Sequence, residues 1–240
     1  MKHIFFFIFL FHVNILLSQS SENHKHQKSF KVFVPHFNQL EIYGECAVIL
    51  KQDSVCKLEI ITDKKSFKAI DIDHPLDKLV IKDGSSPKSK QSQFIIHYRH
   101  LNQLTLHGAV SLKEYLLCGF DSLEVELNGR SELKLELSAK QLKVKQNGQS
   151  HFRLSGECKT SRFELSQYAV LFSQDLHSQY INMYLTQYAK AKIRAEYTLR
   201  ASLDTHTRLD VFGKTKDPFV RQAEGSQLIY HSDELGKNQD

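Results

Sequence analysis

Between Leu127 and Gly156 the chain reads LNGRSELKLELSAKQLKVKQNGQSHFRLSG. Leu133, Leu135 and Leu137 alternate with Glu132, Lys134 and Glu136, and Leu142 and Val144 alternate with Lys143 and Lys145. Alternation with a period of two predicts strands with one wet and one buried face, and excludes helical repeats. The stretch Asn128–Leu135 returns as Asn147–Leu154, so that Gly129 is answered by Gly148. Upstream, Leu104–Gly108 matches Val125–Gly129; downstream, Phe163–Gln167 and Met183–Gln187 match, and Ser202–His206 does so more weakly. Leu171-Phe172-Ser173, Ala191-Lys192-Ile193 and Leu209-Asp210-Val211 fall where Leu133-Lys134-Leu135 stands. The turn positions Gly108, Gly129, Gly148, Gln167, Gln187 and His206 are thus almost evenly spaced. Internal repetition at a period of roughly 20 residues predicts a solenoid. With two short strands per rung and the apolar sides stacked, the coil is a parallel β-helix.

Charge gives an independent check of the register. Glu126 falls over Lys145, Lys145 over Glu164, and Glu124 over Lys143. Neighbouring strands lie about 4.8 Å apart, where opposite charges attract and like charges repel. Lys134 over Arg153 is the exception. Asn128-Gly129 and Asn147-Gly148 are residue types that tolerate a left-handed corner. Two positions beyond the turn come small residues, Ser131, Ser150, Ala169 and Ala189, as expected of a corner pressed against its neighbours.

The beginning of the chain changes the picture. Met1-Lys2-His3 precedes an apolar run from Ile4 to Leu17 that is broken only by His12 and Asn14. The run is shorter than the ~18 residues a membrane span requires, and Ser18 and Ser20 offer cleavage points. Residues 1–18 therefore read as a signal peptide, 19–31 as a polar disordered tail, 32–231 as the β-helix and 232–240 as a second polar tail. The expected location is the periplasm, cell surface or medium. Without Lys2, 31 basic side chains face 27 acidic ones, which lowers the net charge from +5 to +4. Basic and acidic residues are interspersed, which is not the concentrated footprint of a nucleic-acid binder. Cys118 and Cys158 stand equally far beyond Gly108 and Gly148, which predicts one column two rungs apart, about 9–10 Å, beyond the ~7 Å limit for a disulfide. Whether Cys46 and Cys56 pair stays open.

The run YGECAVILKQDSVCKLEI, the repeated Asn-Gly-x-Ser phrase and the ending LDVFGKTKDPFVRQAEGSQLIY together resemble the bacterial "putative auto-transporter adhesin, head GIN" domain. The likeness runs from about Phe33 to Tyr230. It implies a right-handed, single-stranded β-helix in an exported protein. The chain departs from that pattern at Gln167, Gln187 and His206, where a turn glycine is expected, and distorted rungs are anticipated there.

No catalytic centre emerges. Asp121, Asp175, Asp204 and Asp210 occupy different columns, so no pair takes the ~5–9.5 Å spacing of glycoside hydrolysis. His24 and His26, and His97 and His100, lack a third ligand at useful spacing. No cofactor or metal site is expected. Tyr168 and Tyr188 share an outward column beside the corner, with Tyr184 on the adjoining wet face. Exposed tyrosines supply flat amphipathic area of the kind used at interfaces, although β-rich surfaces favour tyrosine anyway. The expectation is a non-enzymatic protein that presents an extended surface to a cell-surface protein, glycan or envelope component. A polysaccharide-active enzyme or a purely structural envelope module are the alternatives.

Overall fold

Alternating positions form strands along nearly all of the chain that the computed structural model describes, which is residues 27–85, 91–113 and 118–231, without the side chains of Lys113 and Cys118. The expected signal peptide, residues 1–18, and the expected C-terminal tail, 232–240, lie outside those residues. β1 (Lys28–Phe33) comes first, and β2 (Gln39–Gly44) and β3 (Cys46–Gln52) form two sides of a turn that meet at a glycine corner. β4 (Lys57–Thr62) leads into a single helical turn, α1 (Lys64–Phe67), whose N-cap Asp63 accepts from the Lys65 and Ser66 amides. β5 (Ile70–Asp73), β6 (Lys78–Asp83), β7 (Ser92–Tyr98), β8 (Gln103–Gly108) and β9 (Ser111–Lys113) follow. Five long strands come next: β10 (Cys118–Gly129), β11 (Glu132–Gln146), β12 (His151–Leu165), β13 (Val170–Leu185) and β14 (Lys190–Leu203). β15 (Arg208–Phe212), β16 (Asp217–Gln222) and β17 (Gln227–Tyr230) close the described fold.

β10 to β14 stack in parallel, each on its predecessor, and the whole is a β-solenoid of about six turns. The alignment read from the repeat holds: Glu126 opposes Lys145, Lys145 opposes Glu164, Glu124 opposes Lys143, and Lys134 opposes Arg153. The like-charged contact is eased on the next turn, where the Arg153 guanidinium lies 5.5 Å from the centre of the Phe172 ring. Each long strand bends once. In β11 the buried positions are Leu133, Leu135 and Leu137, then Leu142, Val144 and Gln146. The parity switches across Ser138–Gln141, which forms the second corner. Two facing sheets thus enclose one continuous core that includes Phe94, Phe152 and Phe163. Burying each such ring contributes about 1.5–3 kcal/mol.

At the first corner the backbones of consecutive turns approach closely. Gly44, Gly108, Gly129 and Gly148 all have left-handed φ. The Gly108 carbonyl accepts from the Arg130 amide at 2.7 Å, and the Gly129 carbonyl from that of Gln149 at 2.8 Å. A Cβ at Gly129 would stand 2.7 Å from the Gly108 oxygen, and one at Gly148 would stand 2.6 Å from the Gly129 oxygen. Beyond Gly148 the expected distortion takes a specific form. Gln167, Gln187, Tyr188 and His206 keep positive φ, and each corner is closed by its own turn bond: Ala169 N to Ser166 O, Ala189 N to Thr186 O and Thr207 N to Asp204 O. Ser131, Ser150, Ala169 and Ala189 are fully buried beside these corners.

The N-terminal end departs from a simple coil. β2 lies between β6 and β8, and β3 lies between β7 and β9. The first turn in sequence is therefore the second in the stack, and the chain crosses over it to continue. Outside β6 and β7 run the antiparallel strands β5 and β4, and β1 pairs antiparallel with β4. These strands cover an edge that would otherwise expose unpaired backbone groups and the end of the core. The polar tail expected to reach residue 31 therefore ends earlier, because Lys28–Phe33 is a strand in this cap, with Phe30 stacked on Phe67 at 3.9 Å.

Two further expectations are corrected. Cys118 opposes Leu137 and then Gly156, whereas Cys158 opposes Ala139 and then Phe120, so the two cysteines do not share a column. Lys113 pairs with Lys134 but Cys118 pairs with Leu137, so this turn is longer between positions 113 and 118 than the next one, which shifts the count. Val170 pairs with Lys190, and Lys190 pairs with Arg208. The last of these steps is the shorter, which places His206 under Tyr188 and not under Gln187. Cys46, Cys56 and Cys158 are buried free thiols, so Cys46 and Cys56 do not pair. Burial, reinforced by Asp83, pushes the Cys46 thiol up to about 12.

The corner contact gives a stability test. Gly129→Ala should destabilise the fold by about 1–3 kcal/mol, the range for strained backbone, read as a lower urea midpoint. Gln187→Gly should change stability by less than about 1 kcal/mol. Equal effects at the two positions would contradict the close approach of the glycine corners.

Candidate binding surface

The corner after β12 carries Tyr168 outward, and the corner after β13 carries Tyr188. Their rings stack at 5.4 Å with an interplanar angle of 10°. His206 extends the ladder, 5.0 Å from Tyr188. Both tyrosines are about half exposed. Each stacked pair contributes about 0.5–1.5 kcal/mol beyond its buried area. Tyr184 stands apart from this ladder, on the outer face of β13, with the Arg162 guanidinium 5.0 Å from its ring centre. Its in-register neighbours are Glu164 and Ser202. Sequence reasoning missed His206, hidden by the shortened final step, and the Tyr180–Tyr197 stack at 6.4 Å. The latter was masked by the register shifts between β13 and β14.

Tyr184 belongs to a broad polar face that continues toward the N-terminal end. Asn147 donates to Asn128 Oδ1 at 3.0 Å, and Ser166 donates to Asn147 Oδ1. This ladder continues through His107, stacked on Tyr43 at 4.2 Å. Glu41 lies beneath, accepting from Tyr43, from Lys78 at 3.0 Å and from His107 at 3.1 Å. Burial would raise the Glu41 carboxyl, but these three donors and the Lys78 charge hold it below its ordinary value. The same carboxylate pushes the Tyr43 hydroxyl up to about 12. The charged columns are closed by ion pairs: Lys143 and Lys145 reach Glu124 at 2.9 and 3.4 Å, and Arg162 reaches Glu164 at 2.6 Å.

Three of the four candidate acids are engaged by neighbouring groups. Asp121 pairs with Lys140 at 2.7 Å, Asp175 lies opposite Ser155, and Asp204 accepts from the Thr205 amide. Asp210 is 3% exposed and is gripped by Arg208 at 2.8 and 3.0 Å and by His231 Nε2 at 2.8 Å. Arg208 first, with help from His231, holds the Asp210 carboxyl low. His97 meets Asp53 at 3.0 Å, and His24 and His26 lie outside the described residues. Among the described residues no three His, Cys, Asp or Glu side chains gather to hold a metal. No helix among them is long and apolar enough to cross a membrane.

The architecture is that of an all-β solenoid with a ladder of outward rings. The family model described as "Putative auto-transporter adhesin, head GIN domain" matches residues 36–215, and the chain belongs to that family. No curated protein matches it. A solved structure titled a putative adhesin, from Bacteroides fragilis, is similar with a TM-score of 0.79 at 13% identity, over 86% of this chain and 98% of that one. Another with that title, from Parabacteroides merdae, gives 0.70 at 14% identity, over 87% and 97%. A protein titled a putative lipid binding protein, from Parabacteroides distasonis, gives 0.61 at 11% identity, over 86% and 95%. At these identities the likeness establishes the fold alone.

Asp210 supplies a pH test. A carboxyl held low in the fold stabilises it above the unfolded value, and that contribution is lost as pH falls through the folded value. Asp210→Asn should lower stability at pH 7 by about 1.5–3 kcal/mol, the range for charged hydrogen bonds. Thermal melts of the two proteins should converge on acidification. A constant gap down to the acid limit would show that the carboxylate charge is not what matters.

Proposed function

We propose that this chain is an exported, non-enzymatic binding module that presents the outer faces of a rigid β-solenoid to a saccharide or protein partner at the cell envelope. The observation that carries this reading is the register-locked array of exposed rings. Tyr168 and Tyr188 are stacked at a corner, and Tyr184 stands on the adjoining face under Arg162. Stacking fixes the Tyr168 and Tyr188 side chains before any partner arrives, so little rotamer entropy is lost on binding. Family membership and the adhesin titles of similar structures support an adhesin-like role. The sequence supports export through residues 1–18, ahead of a domain spanning about 32–231.

Replacing Tyr168, Tyr184 and Tyr188 together by Ser tests the surface. Retention on intact cells and on an array of immobilised glycans should fall at least several-fold, while exposed substitutions of this kind change stability only modestly. Full retention by the well-folded variant would remove these tyrosines from the function.

A further inference from the structure

On the sheet face that carries Tyr184, two neighbouring columns hold Arg221 and Arg200. One column runs Tyr184, Ser202, Arg221, and its neighbour runs Asn182, Arg200, Phe219. Ser202 is short, so the column sinks between Tyr184 and Arg221. The hollow there is about 460 Å³ and is lined by Tyr184, Thr186, Ser202, Asp204, Arg221 and Gln222. Arg162 covers Tyr184 from the preceding turn, which leaves the ring's other side toward the hollow. Lys143, Lys145 and Arg162 are ion-paired, the two lysines sharing Glu124 and the arginine holding Glu164. Arg200 and Arg221, by contrast, have no carboxylate within ion-pair distance among the described residues. Arg221 lies over the Phe219 ring at 5.5 Å, and Phe219 is 57% exposed.

We infer that this hollow is a subsite for an acidic saccharide, a sugar bearing a carboxylate or a sulfate. The inference rests on the binding reading above and names the class of ligand. An aromatic wall takes the apolar C–H face of a pyranose, and a guanidinium fork takes a planar or tetrahedral oxyanion through paired hydrogen bonds. Asp204 at the rim can accept from a sugar hydroxyl. Its negative charge also disfavours polyanions that lack hydroxyl donors. A neutral sugar would leave unused the Arg221 guanidinium that lines the hollow and that of Arg200 in the neighbouring column.

The test is calorimetric titration of the full chain with a galacturonate hexasaccharide, a heparin-derived sulfated hexasaccharide and maltohexaose. One or both anionic probes should bind, the two arms telling carboxylate from sulfate, and maltohexaose should bind at least tenfold more weakly. Arg200→Gln combined with Arg221→Gln should weaken binding at least tenfold, and Tyr184→Ser severalfold. Lys190→Gln with Lys192→Gln, on the opposite sheet, should leave binding within twofold. The subsite is overturned if neither anionic probe binds, if maltohexaose binds equally well, or if the two double variants weaken binding alike. If the probes fail to bind while the triple tyrosine variant still loses cell retention, the subsite falls and the wider binding role stands.

Discussion

One close contact governs this molecule: the backbone of each early corner rests on the carbonyl of the corner before it. Gly108, Gly129 and Gly148 leave no room for a Cβ at that contact, and backbone N–H to C=O hydrogen bonds between successive glycine corners pin the height of these turns. A slip of one residue would turn every inward side chain outward. Corner spacing therefore fixes the register, and the register decides which side chains meet on the outside. Where the glycines stop, the chain keeps the same left-handed corner with Gln167, Gln187, Tyr188 and His206. For residues other than glycine this conformation costs about 1–2 kcal/mol each. Internal turn bonds and a core that continues unbroken offset that cost.

The outside follows from this inner constraint. Because the turns stack in register, columns of side chains become surfaces with fixed neighbours: Glu124 under two lysines, Asn128 and Asn147 in a ladder, Tyr168 on Tyr188. Exposed ion pairs contribute only about 0–1 kcal/mol each. Their value lies in removing charge from parts of the face, while Arg200 and Arg221 keep theirs without an ion-pair partner among the described residues. Rigid columns of this type suit recognition of an extended partner.

The C-terminal two-thirds of the fold was legible because period-two alternation and a short, regular repeat are both printed in the residues. Glu126, Lys145 and Glu164 align on the repeat alone. Three features were hidden, each for a physical reason. The cap formed by β1, β4 and β5 has no repeat, since an edge cover need not resemble what it covers. The longer turn before Cys118 and the shortened step before His206 change the offset without changing the alternation. Counting from a turn therefore misplaces whatever follows. Tyr168, Tyr184 and Tyr188 were readable as outward positions, but the partnership of Tyr184 with Arg162 depends on side-chain reach across strands, which spacing does not encode.

In-register stacking of consecutive turns is best tested by cross-linking. Outward residues on adjacent turns lie about 4.8 Å apart, inside the ~4.4–6.8 Å window for a disulfide. Glu126→Cys combined with Lys145→Cys should form an intramolecular disulfide under mild oxidation. Glu126→Cys with Glu164→Cys, two turns apart, should not. Failure of the first pair to close, or equal closure of both, would contradict the stacking on which every surface described here depends.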